Sequence, residues 1–421
     1  MREIHRAQFS EYTPHEHAVP FHNSRALERL LIAPTRSGKT FSLIFDMIRA
    51  AWNNPPAGFA TLVTAPEYKQ LGPLLERPIT QRLIGMGLMD PRGHSFTDHH
   101  SVLKRGQEIL YRSLENYEAI EGLNCGPIYI DEAGLARVEA IDTVRQRALT
   151  LNSPITMATT PKGTGNWMYK QYFGPDAKPH ANTQFFRYEI FDNPLITQEA
   201  VDRLKADLDP IRVRQEIYAE WVNLTEDRVY YAFDDEKNVR EYDPINDIVY
   251  VCLDYNIGIN AWCAIQINMR TNTSHVFAEG HGAKTTKAVG EQILAEFGPE
   301  VMIIDDASGN IRQQGDMHTQ RQILNQCGLH RIAASTSNPL REKRYAVVNA
   351  HFENGLGNRH LFVSPRCKRL RNELNNLCYK PNSDKPDDEN GKSGHITDAL
   401  GYGVYYLSGG QAGWDRKLLA A

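Results

Sequence analysis

The sequence predicts an α/β protein with two domains, the first built on a mostly parallel central sheet and the second on a mixed sheet. A chain of 421 residues is longer than one ordinary domain. In the first half, an apolar run passes through a Gly-Lys turn directly into a helical pattern. From Asp247 onward, three short β-rich runs precede alternating helix and strand patterns. Two different sheet topologies are therefore expected within one chain.

Composition excludes several classes of protein. The formal net charge of −4 does not indicate a general polyanion binder, so any contact with nucleic acid must depend on local basic patches. The sequence contains no apolar run of about 18 residues, which argues against a membrane-spanning helix, and its first residues lack the apolar core of an export signal. Six scattered cysteines without a C-x-x-C pair argue against a zinc ribbon or a disulfide framework and indicate a reducing cytosol.

The Gly-Lys turn lies in the segment APTRSGKT, residues 33–40, which matches the phosphate-loop template G-x-x-x-x-G-K-[ST] except that Ala33 replaces the first glycine. In such a loop, backbone N–H groups and a helix N-terminus hold phosphate oxygens. Lys39 would reach the β- and γ-phosphates of ATP, and the Thr40 hydroxyl would hold Mg²⁺. The alternative is a turn that opens an ordinary helix. The residues predicted to bind nucleotide here are Thr35, Arg36, Ser37, Gly38, Lys39 and Thr40.

Two later strands support the nucleotide site. The run GPIYIDEAG ends in Asp131 and Glu132, where the aspartate would assist the Mg²⁺ shell and the glutamate would polarise the attacking water. The run SPITMATTP ends in Thr160, a hydroxyl that could sense the γ-phosphate, although Thr-Thr-Pro is also an ordinary strand terminator. Together with the phosphate loop, these motifs predict a P-loop NTPase domain that hydrolyses ATP.

The order of these motifs resembles that of the large terminase subunits of tailed bacteriophages, the motors that package and cut viral DNA. The resemblance extends to TLVTAPEYKQL (61–71), YEIFDNPLI (188–196) and LDPIRVRQEIYAEWV (208–222). It implies that Arg36, inside the phosphate loop, stabilises transition-state charge in cis. Arg145 and Arg147 remain alternatives, either in that role or as a finger offered to a neighbouring subunit, and both are also explained as solvated helix charges.

The second half has the element order of a ribonuclease H-like fold. The β-rich runs Ile248–Leu253, Ala261–Ile267 and Ser274–Ala278 are followed by a helical stretch at 284–297 and the buried strand VMII. Further elements lead through HLFVSP (360–365) to the aromatic helix GHITDALGYGVYYL at 394–407. The sequence therefore predicts a mixed-sheet nuclease domain.

Carboxylates occupy the positions where this fold would bring them together. Asp254 follows the first strand, Asp305 follows the fourth, and Asp398 opens the last helix. Such acids could hold two divalent cations about 4 Å apart for phosphodiester hydrolysis, with Mg²⁺ expected and Mn²⁺ also possible. Asp306 replaces Asp305 if the fourth strand ends one residue later, but the terminase-like form D-x-A favours Asp305. His395 is either a metal-site residue or an exposed loop residue.

The remaining expectations concern DNA binding and domain boundaries. Two basic stretches on predicted helices, 338–349 and 364–374, would neutralise DNA phosphates or else form ordinary solvated helix faces. The polar segment 380–394 is predicted to be a loop that gates the cleft. The predicted boundaries are an ATPase domain at 1–222 with a linker subdomain near 190–222, a linker at 223–246, and a nuclease domain at 247–421.

The resemblance implies a viral motor that uses ATP to move double-stranded DNA into a procapsid and cuts concatemeric DNA. Its implied partners are the portal protein, the small terminase subunit and further copies in a homo-oligomeric ring, with a monomer in solution left open and no membrane. The implied location is the bacterial host cytoplasm, with transient docking on the procapsid and no place in the virion. Two alternatives remain: a repair or recombination ATPase-nuclease, and a DNA-binding protein with a nucleotide switch.

Overall fold

The computed structural model describes residues 12–53, 58–222, 228–256, 260–310, 318–333, 337–380, 383, 385–388 and 393–410. The chain forms two compact units. The first comprises Met1–Val201 with Arg214–Asn223, and the second comprises Asp202–Val213 with Leu224–Ala421. Within the described ranges, no helix has the length and apolar character needed to cross a bilayer.

The first unit is built on an eight-stranded sheet in the order β3-β4-β5-β2-β6-β7-β1-β8. The strands are β1 Glu28–Ile32, β2 Ala60–Ala65, β3 His94–Ser95, β4 His100–Val102, β5 Glu108–Ser113, β6 Cys125–Ile130, β7 Ile155–Thr159 and β8 Thr183–Arg187. In this sheet, the neighbouring strands in the series β5-β2-β6-β7-β1-β8 all pair parallel. The pairs β3–β4 and β4–β5 are antiparallel. Strands β1, β2, β6 and β7 are buried at every position and therefore show no alternation of buried and exposed residues.

One helix of the first unit precedes β1, and the others follow in the chain after β1. They are α1 Val19–Asn23, α2 Lys39–Asn53, α3 Tyr68–Leu71, α4 Arg77–Gly85, α5 Val138–Ala148 and α6 Trp167–Tyr172. Two further helices, α7 Gln198–Asp207 and α8 Pro210–Glu216, carry the chain into the second unit and back.

A buried ionic network ties β1 to α2, the two elements that flank the phosphate loop. The Asp46 carboxylate on α2 accepts hydrogen bonds from Arg29 (2.7 Å), Tyr129 (2.9 Å) and Arg49 (2.6 Å), and His22 Nδ1 lies 3.2 Å away. Burial alone would raise the pKa of Asp46, but its cationic and imidazole partners hold that pKa well below its ordinary value. The Asp46 carboxylate and its partners therefore connect the strand before the phosphate loop to the helix after it.

The second unit contains a six-stranded mixed sheet in the order β13-β12-β9-β10-β11-β14. The strands are β9 Tyr250–Asp254, β10 Asn260–Asn268, β11 Thr273–Ala283, β12 Met302–Asp305, β13 Ile332–Ala333 and β14 Leu361–Val363. Strands β9, β10 and β11 form an antiparallel meander, and β12 pairs parallel with β9. The predicted α/β architecture, with a mostly parallel sheet followed by a mixed one, is confirmed.

Helices cover both faces of this second sheet. They are α9 Asp235–Asn238, α10 Thr286–Phe297, α11 Gln320–Gln326, α12 Arg341–Phe352, α13 Lys368–Asn376 and α14 His395–Leu407. Cys252 of β9 faces the core formed with α12, α13 and α14, whereas its neighbour Leu253 faces the core formed with α10 and α11. Alternate residues of one strand therefore enter different cores.

The stretch predicted as a linker contributes to the core of the second unit. Val229, Tyr230 and Phe233 are fully or almost fully buried there, and the Tyr230 hydroxyl donates to the Thr397 carbonyl of α14 at 3.3 Å. Residues 223–227 of that stretch lie outside the described residues, as does part of the predicted loop 380–394.

Candidate active sites

The phosphate loop of the first unit has the backbone that its sequence requires. Arg36 and Gly38 adopt positive φ angles of 66° and 89°, and α2 begins at Lys39 immediately afterwards. The Ser37 hydroxyl donates to the Pro34 carbonyl at 2.7 Å and closes the turn. A helix N-terminus with free backbone N–H groups favours bound phosphate.

Three side chains predicted to act on nucleotide meet at this loop. The Lys39 ammonium donates to the Glu132 carboxylate and, at 2.8 Å, to the Thr160 hydroxyl. The Thr160 backbone N–H donates to the other Glu132 oxygen at 3.2 Å. The structure therefore brings the ends of β6 and β7 to the start of α2, as parallel neighbouring strands permit.

Thr40 and Asp131 form a second contact beside the first. The Thr40 hydroxyl donates to Asp131 Oδ2 at 2.9 Å. Burial raises the pKa of Asp131, and the charge of Lys39 opposes that rise. A buried carboxylate next to a hydroxyl is an oxygen donor set that fits a hard divalent cation, which would offset the cost of burying the charge.

Glu132 adopts a strained backbone that sequence motifs do not reveal. Its φ of 49° lies in the left-handed region, which is uncommon for residues other than glycine. Strain of this kind costs on the order of 1–3 kcal/mol and is often found at functional sites. Here it occurs at the residue whose carboxylate contacts Lys39.

The three candidate arginines have different surroundings. The Arg36 side chain is exposed, and its backbone carbonyl accepts a hydrogen bond from Asn193 at 2.7 Å. Arg145 is largely buried and pairs with Glu28 at 3.0 Å, while Arg147 donates to the Glu121 carbonyl. Arg145 and Arg147 thus have structural partners within the first unit. Thr35, beside Arg36, is exposed as well.

In the second unit, Asp254 lies at the end of β9 and contacts two polar side chains. Asn256 donates to Asp254 Oδ2 at 2.8 Å, and His395 Nδ1 lies 3.2 Å from the same oxygen. His395 therefore lies beside a predicted metal ligand, which removes the alternative of an exposed loop residue. Asn256 is a member of this site that sequence patterns did not indicate.

The structure separates Asp305 from Asp254 and brings Asp306 to it instead. In the β9–β12 pairing, Asp305 lies opposite Leu253, so its side chain shares the face of Leu253 rather than that of Asp254. On that face, the Arg321 guanidinium of α11 donates two hydrogen bonds of 2.8 Å to the Asp305 carboxylate. The Tyr255 hydroxyl donates to the same carboxylate at 3.1 Å. The placement does not support Asp305 as a metal ligand. The physical reason is the two-residue period of a strand, which sends adjacent residues to opposite faces.

Asp306 takes the position expected of Asp305. Its carboxylate accepts hydrogen bonds from Ser308 at 2.6 Å and from Asn338 at 3.5 Å. Burial raises the pKa of Asp254, His395 lowers it, and the negative charges of Asp398 and Asp306 raise it further. The acids that interact electrostatically at this edge of the sheet are therefore Asp254, Asp306 and Asp398.

Asp398 has a cationic partner within the second unit. The guanidinium of Arg344 lies 3.1 Å from Asp398 Oδ1 and stacks on the Tyr402 ring at 3.9 Å from its centroid. Apart from this ion pair, Asp398 Oδ1 is buried and has no hydrogen-bond partner in the part of the chain that the structure describes. Arg344 belongs to the predicted basic stretch 338–349, but it is only 3% exposed, so it pairs with this site rather than with solvent.

The donor set suits hard cations, although no metal site is preformed among the described residues. No group of three or more His, Cys, Asp or Glu side chains in those ranges is arranged to hold a metal ion. Each acid is instead satisfied by a neighbour, including Arg344 at Asp398. The negative charges of Asp398 and Asp306 help to raise the pKa of Asp254, and a bound divalent cation would relieve this repulsion.

Comparison with known proteins identifies the family of the chain. Residues 30–237 match the family model described as "Terminase large subunit, T4likevirus-type, N-terminal". A curated relative, the large terminase subunit of Escherichia phage T5, is 23% identical over 376 residues, covering 83% of this chain and 80% of that protein. The chain belongs to the large terminase subunits.

Solved terminase structures have the same fold along nearly the whole chain. The large terminase of a thermophilic bacteriophage, at 15% identity, matches with a TM-score of 0.57 and covers 94% of this chain and 99% of that one. The complex of that same phage terminase with ATP-gamma-S matches with a TM-score of 0.56 at 16% identity, covering 93% and 99%. In this terminase, as in that one, both units are present in a single chain.

The second basic stretch of the terminase is mixed in character. On α13, Arg369 donates to Glu373 at 3.1 Å, and Arg371 pairs with Asp235 at 2.8 Å. Arg366 and Lys368 are exposed. Only part of the stretch 364–374 is therefore available to DNA phosphates without breaking an ion pair.

Proposed function

We propose that the first unit hydrolyses ATP and that this hydrolysis drives double-stranded DNA into a procapsid. The observation that carries the proposal is the meeting of Lys39, Glu132 and Thr160 at the start of α2. Family membership supplies the packaging role. The units correspond to the proposed ATPase and nuclease domains.

The contacts around Lys39 suggest how substrate binding would prepare the site. Phosphate oxygens would be held by loop N–H groups and by the Lys39 ammonium, which now pairs with Glu132. When Lys39 turns to the β- and γ-phosphates, the Glu132 carboxylate becomes available to orient and polarise water. Thr160 contacts both partners, so its hydroxyl would report the loss of the γ-phosphate. Thr40 and Asp131 would hold Mg²⁺, and exposed Arg36 would stabilise developing charge.

We propose that the second unit cuts DNA with the carboxylates of Asp254, Asp306 and Asp398, assisted by His395. Divalent cations, Mg²⁺ or Mn²⁺, would supply Lewis-acid polarisation of the phosphodiester when bound there. His395 beside Asp254 would position water or fix that carboxylate. In the absence of a bound metal ion, Arg344 would neutralise the charge of Asp398.

The proposed partners follow from the terminase family. They are double-stranded DNA, the portal protein, the small terminase subunit and further copies of this chain in a ring. We propose that the protein works in the cytoplasm of the bacterial host, docked on the procapsid while packaging.

A packaging assay with purified empty procapsids tests the proposed function. Uptake of DNA into a nuclease-resistant form should require ATP and should be lost in Lys39→Ala, but not in the exposed control Lys178→Ala. The packaging role would be rejected if the wild-type protein, mixed with the portal protein and the small subunit, turned over ATP but took up no DNA.

Plasmid cleavage tests the second unit separately. Asp254→Asn and Asp398→Asn should abolish metal-dependent cleavage while ATP turnover survives, and the exposed control Asp243→Asn should leave both activities unchanged. Full cleavage by both site variants would reject the proposed nuclease site.

A further inference from the structure

His281 and Asp254 are connected by cross-strand pairing in the second sheet. Asp254 pairs with Ala261 of β10, and Ala261 pairs with His281 of β11. Residues directly opposite one another in neighbouring strands point to the same face. With strands about 4.8 Å apart, His281 therefore lies two strands, or about 10 Å, from Asp254 on the face covered by α14.

The His395 ring lies between these two residues. Its centroid is 6.5 Å from that of His281, and its Nδ1 is 3.2 Å from Asp254 Oδ2. His281, His395 and Asp254 thus form a continuous line that runs from β11 into the cluster of acids.

One nitrogen of the His281 imidazole is buried without a partner. Its Nε2 atom is buried and has no hydrogen-bond partner among the described residues. An unsatisfied buried nitrogen is costly, and in native proteins such a group usually serves a ligand, a water or catalysis. Either ring nitrogen can carry the proton, and rotation of the ring exchanges their positions.

A β-bulge directs this part of β11. The register shifts by one residue between the pairs Ala261–His281 and Asn260–Ala283, which leaves Gly282 unpaired with a φ of 90°. Bulges re-aim side chains and are common beside active sites. A residue with a Cβ is strained at that φ, so glycine permits the bend that directly follows His281.

Both a carboxylate and a guanidinium lie near His281. Glu279 caps α13 by accepting from the backbone N–H groups of Arg369 (2.9 Å) and Leu370 (2.8 Å), which anchors this helix end to β11. Burial lowers the pKa of His281, and the positive charge of Arg369 adds to this effect. Arg369, which also pairs with Glu373, is the cation on this side of the site.

We propose that His281 is a DNA-binding residue of this site, donating an imidazole N–H to a phosphate next to the scissile one. The inference depends on the proposed nuclease function and adds a subsite for a phosphodiester. The contact holds the strand across β10 so that the scissile bond reaches Asp254. His281 is thus a substrate-positioning residue, distinct from the acids.

Steady-state cleavage separates this role from a structural one. His281→Ala should raise KM for DNA about tenfold, the effect expected for one hydrogen bond to a charged group, with a smaller change in kcat. His281→Gln, which keeps an N–H donor, should recover part of the loss. The matched control is His330→Ala, an exposed histidine of the same unit. An unchanged KM in His281→Ala would overturn the proposal.

A neutral backbone linkage identifies the phosphate. Duplexes carrying one methylphosphonate at successive positions are bound to the full chain in the Asp254→Asn background, where the DNA stays intact. At one position next to the cleavage site, the methylphosphonate should weaken binding with His281 present and have no further effect in His281→Ala. The proposal would be overturned if, at every position, the methylphosphonate weakened binding by the same factor with and without the His281 side chain.

The two proposals fail separately. Cleavage that persists in Asp254→Asn would reject the nuclease site itself. Cleavage that depends on Asp254, together with identical kinetics of His281→Ala and His330→Ala, would reject only the phosphate subsite.

Discussion

Substitution of two adjacent aspartates by asparagine should give opposite results in the second unit. Asp306→Asn should abolish DNA cleavage with little change in folding, because its carboxylate faces Asp254 and Asp398. Asp305→Asn should mainly destabilise the unit, because its carboxylate is gripped by Arg321 on the other face of the sheet.

The size of the destabilisation follows from burial. The Asp305 side chain is 0% exposed and that of Arg321 is 9% exposed, with two hydrogen bonds of 2.8 Å between them. Breaking a buried pair leaves an uncompensated charge and costs about 3–5 kcal/mol. For a unit of this size, that corresponds to a fall in Tm of roughly 10 °C.

Thermal unfolding and plasmid cleavage, measured on the same preparations, test this prediction. Adding Arg321→Met to Asp305→Asn should recover much of the lost stability, because no unpaired guanidinium remains. Both Asp305 variants should still cut DNA at temperatures where they are folded. Normal cleavage by Asp306→Asn, with loss of cleavage but normal Tm in Asp305→Asn, would refute the argument from strand register.

Three further predictions concern the first unit. Arg36→Ala should keep the wild-type Tm and lose ATP turnover, because the side chain is exposed beside the phosphate loop; turnover equal to wild type would exclude its role in cis. Arg145→Ala should lower the free energy of unfolding by about 3 kcal/mol, because the buried Glu28 carboxylate loses its cation and keeps only the Tyr172 hydroxyl, yet retain turnover per folded molecule; a normal Tm with no turnover would instead support a finger role. Because the pKa of Asp46 lies below its ordinary value of about 4, its contribution to stability is present above that pH and is lost as the pH falls. Urea unfolding of Asp46→Asn should therefore depend less on pH in the acid range, and an unchanged profile would contradict this.

The residues of the proposed phosphate site can be found from local motifs because they are either contiguous or follow strands. The segment 33–40 fixes a loop and a helix start within eight positions, and Asp131 and Thr160 follow apolar strands that parallel pairing brings to one edge. The ends of the short strands β3 and β4 could not be predicted in this way, since runs of two or three residues show no periodicity.

At the fourth strand, the sequence favoured Asp305 as the acid of the second site and left Asp306 as the alternative. Whether Asp305 or Asp306 joins Asp254 depends on the register of β12 against β9, which the sequence of β12 does not contain. Arg344 and Arg341 look alike in a basic stretch, yet Arg344 is buried against Asp398 and Arg341 is exposed.

The sequence by itself determined that this chain has a phosphate-loop motif, acidic residues after its strands and two successive α/β domains. These features depend on local residue order and periodicity. The tertiary structure alone decided which acid faces which core, which arginines are paired, and that His281 lies in line with Asp254. Those outcomes depend on pairing between strands distant in the chain, where a shift of one residue moves a side chain to the opposite face of the sheet.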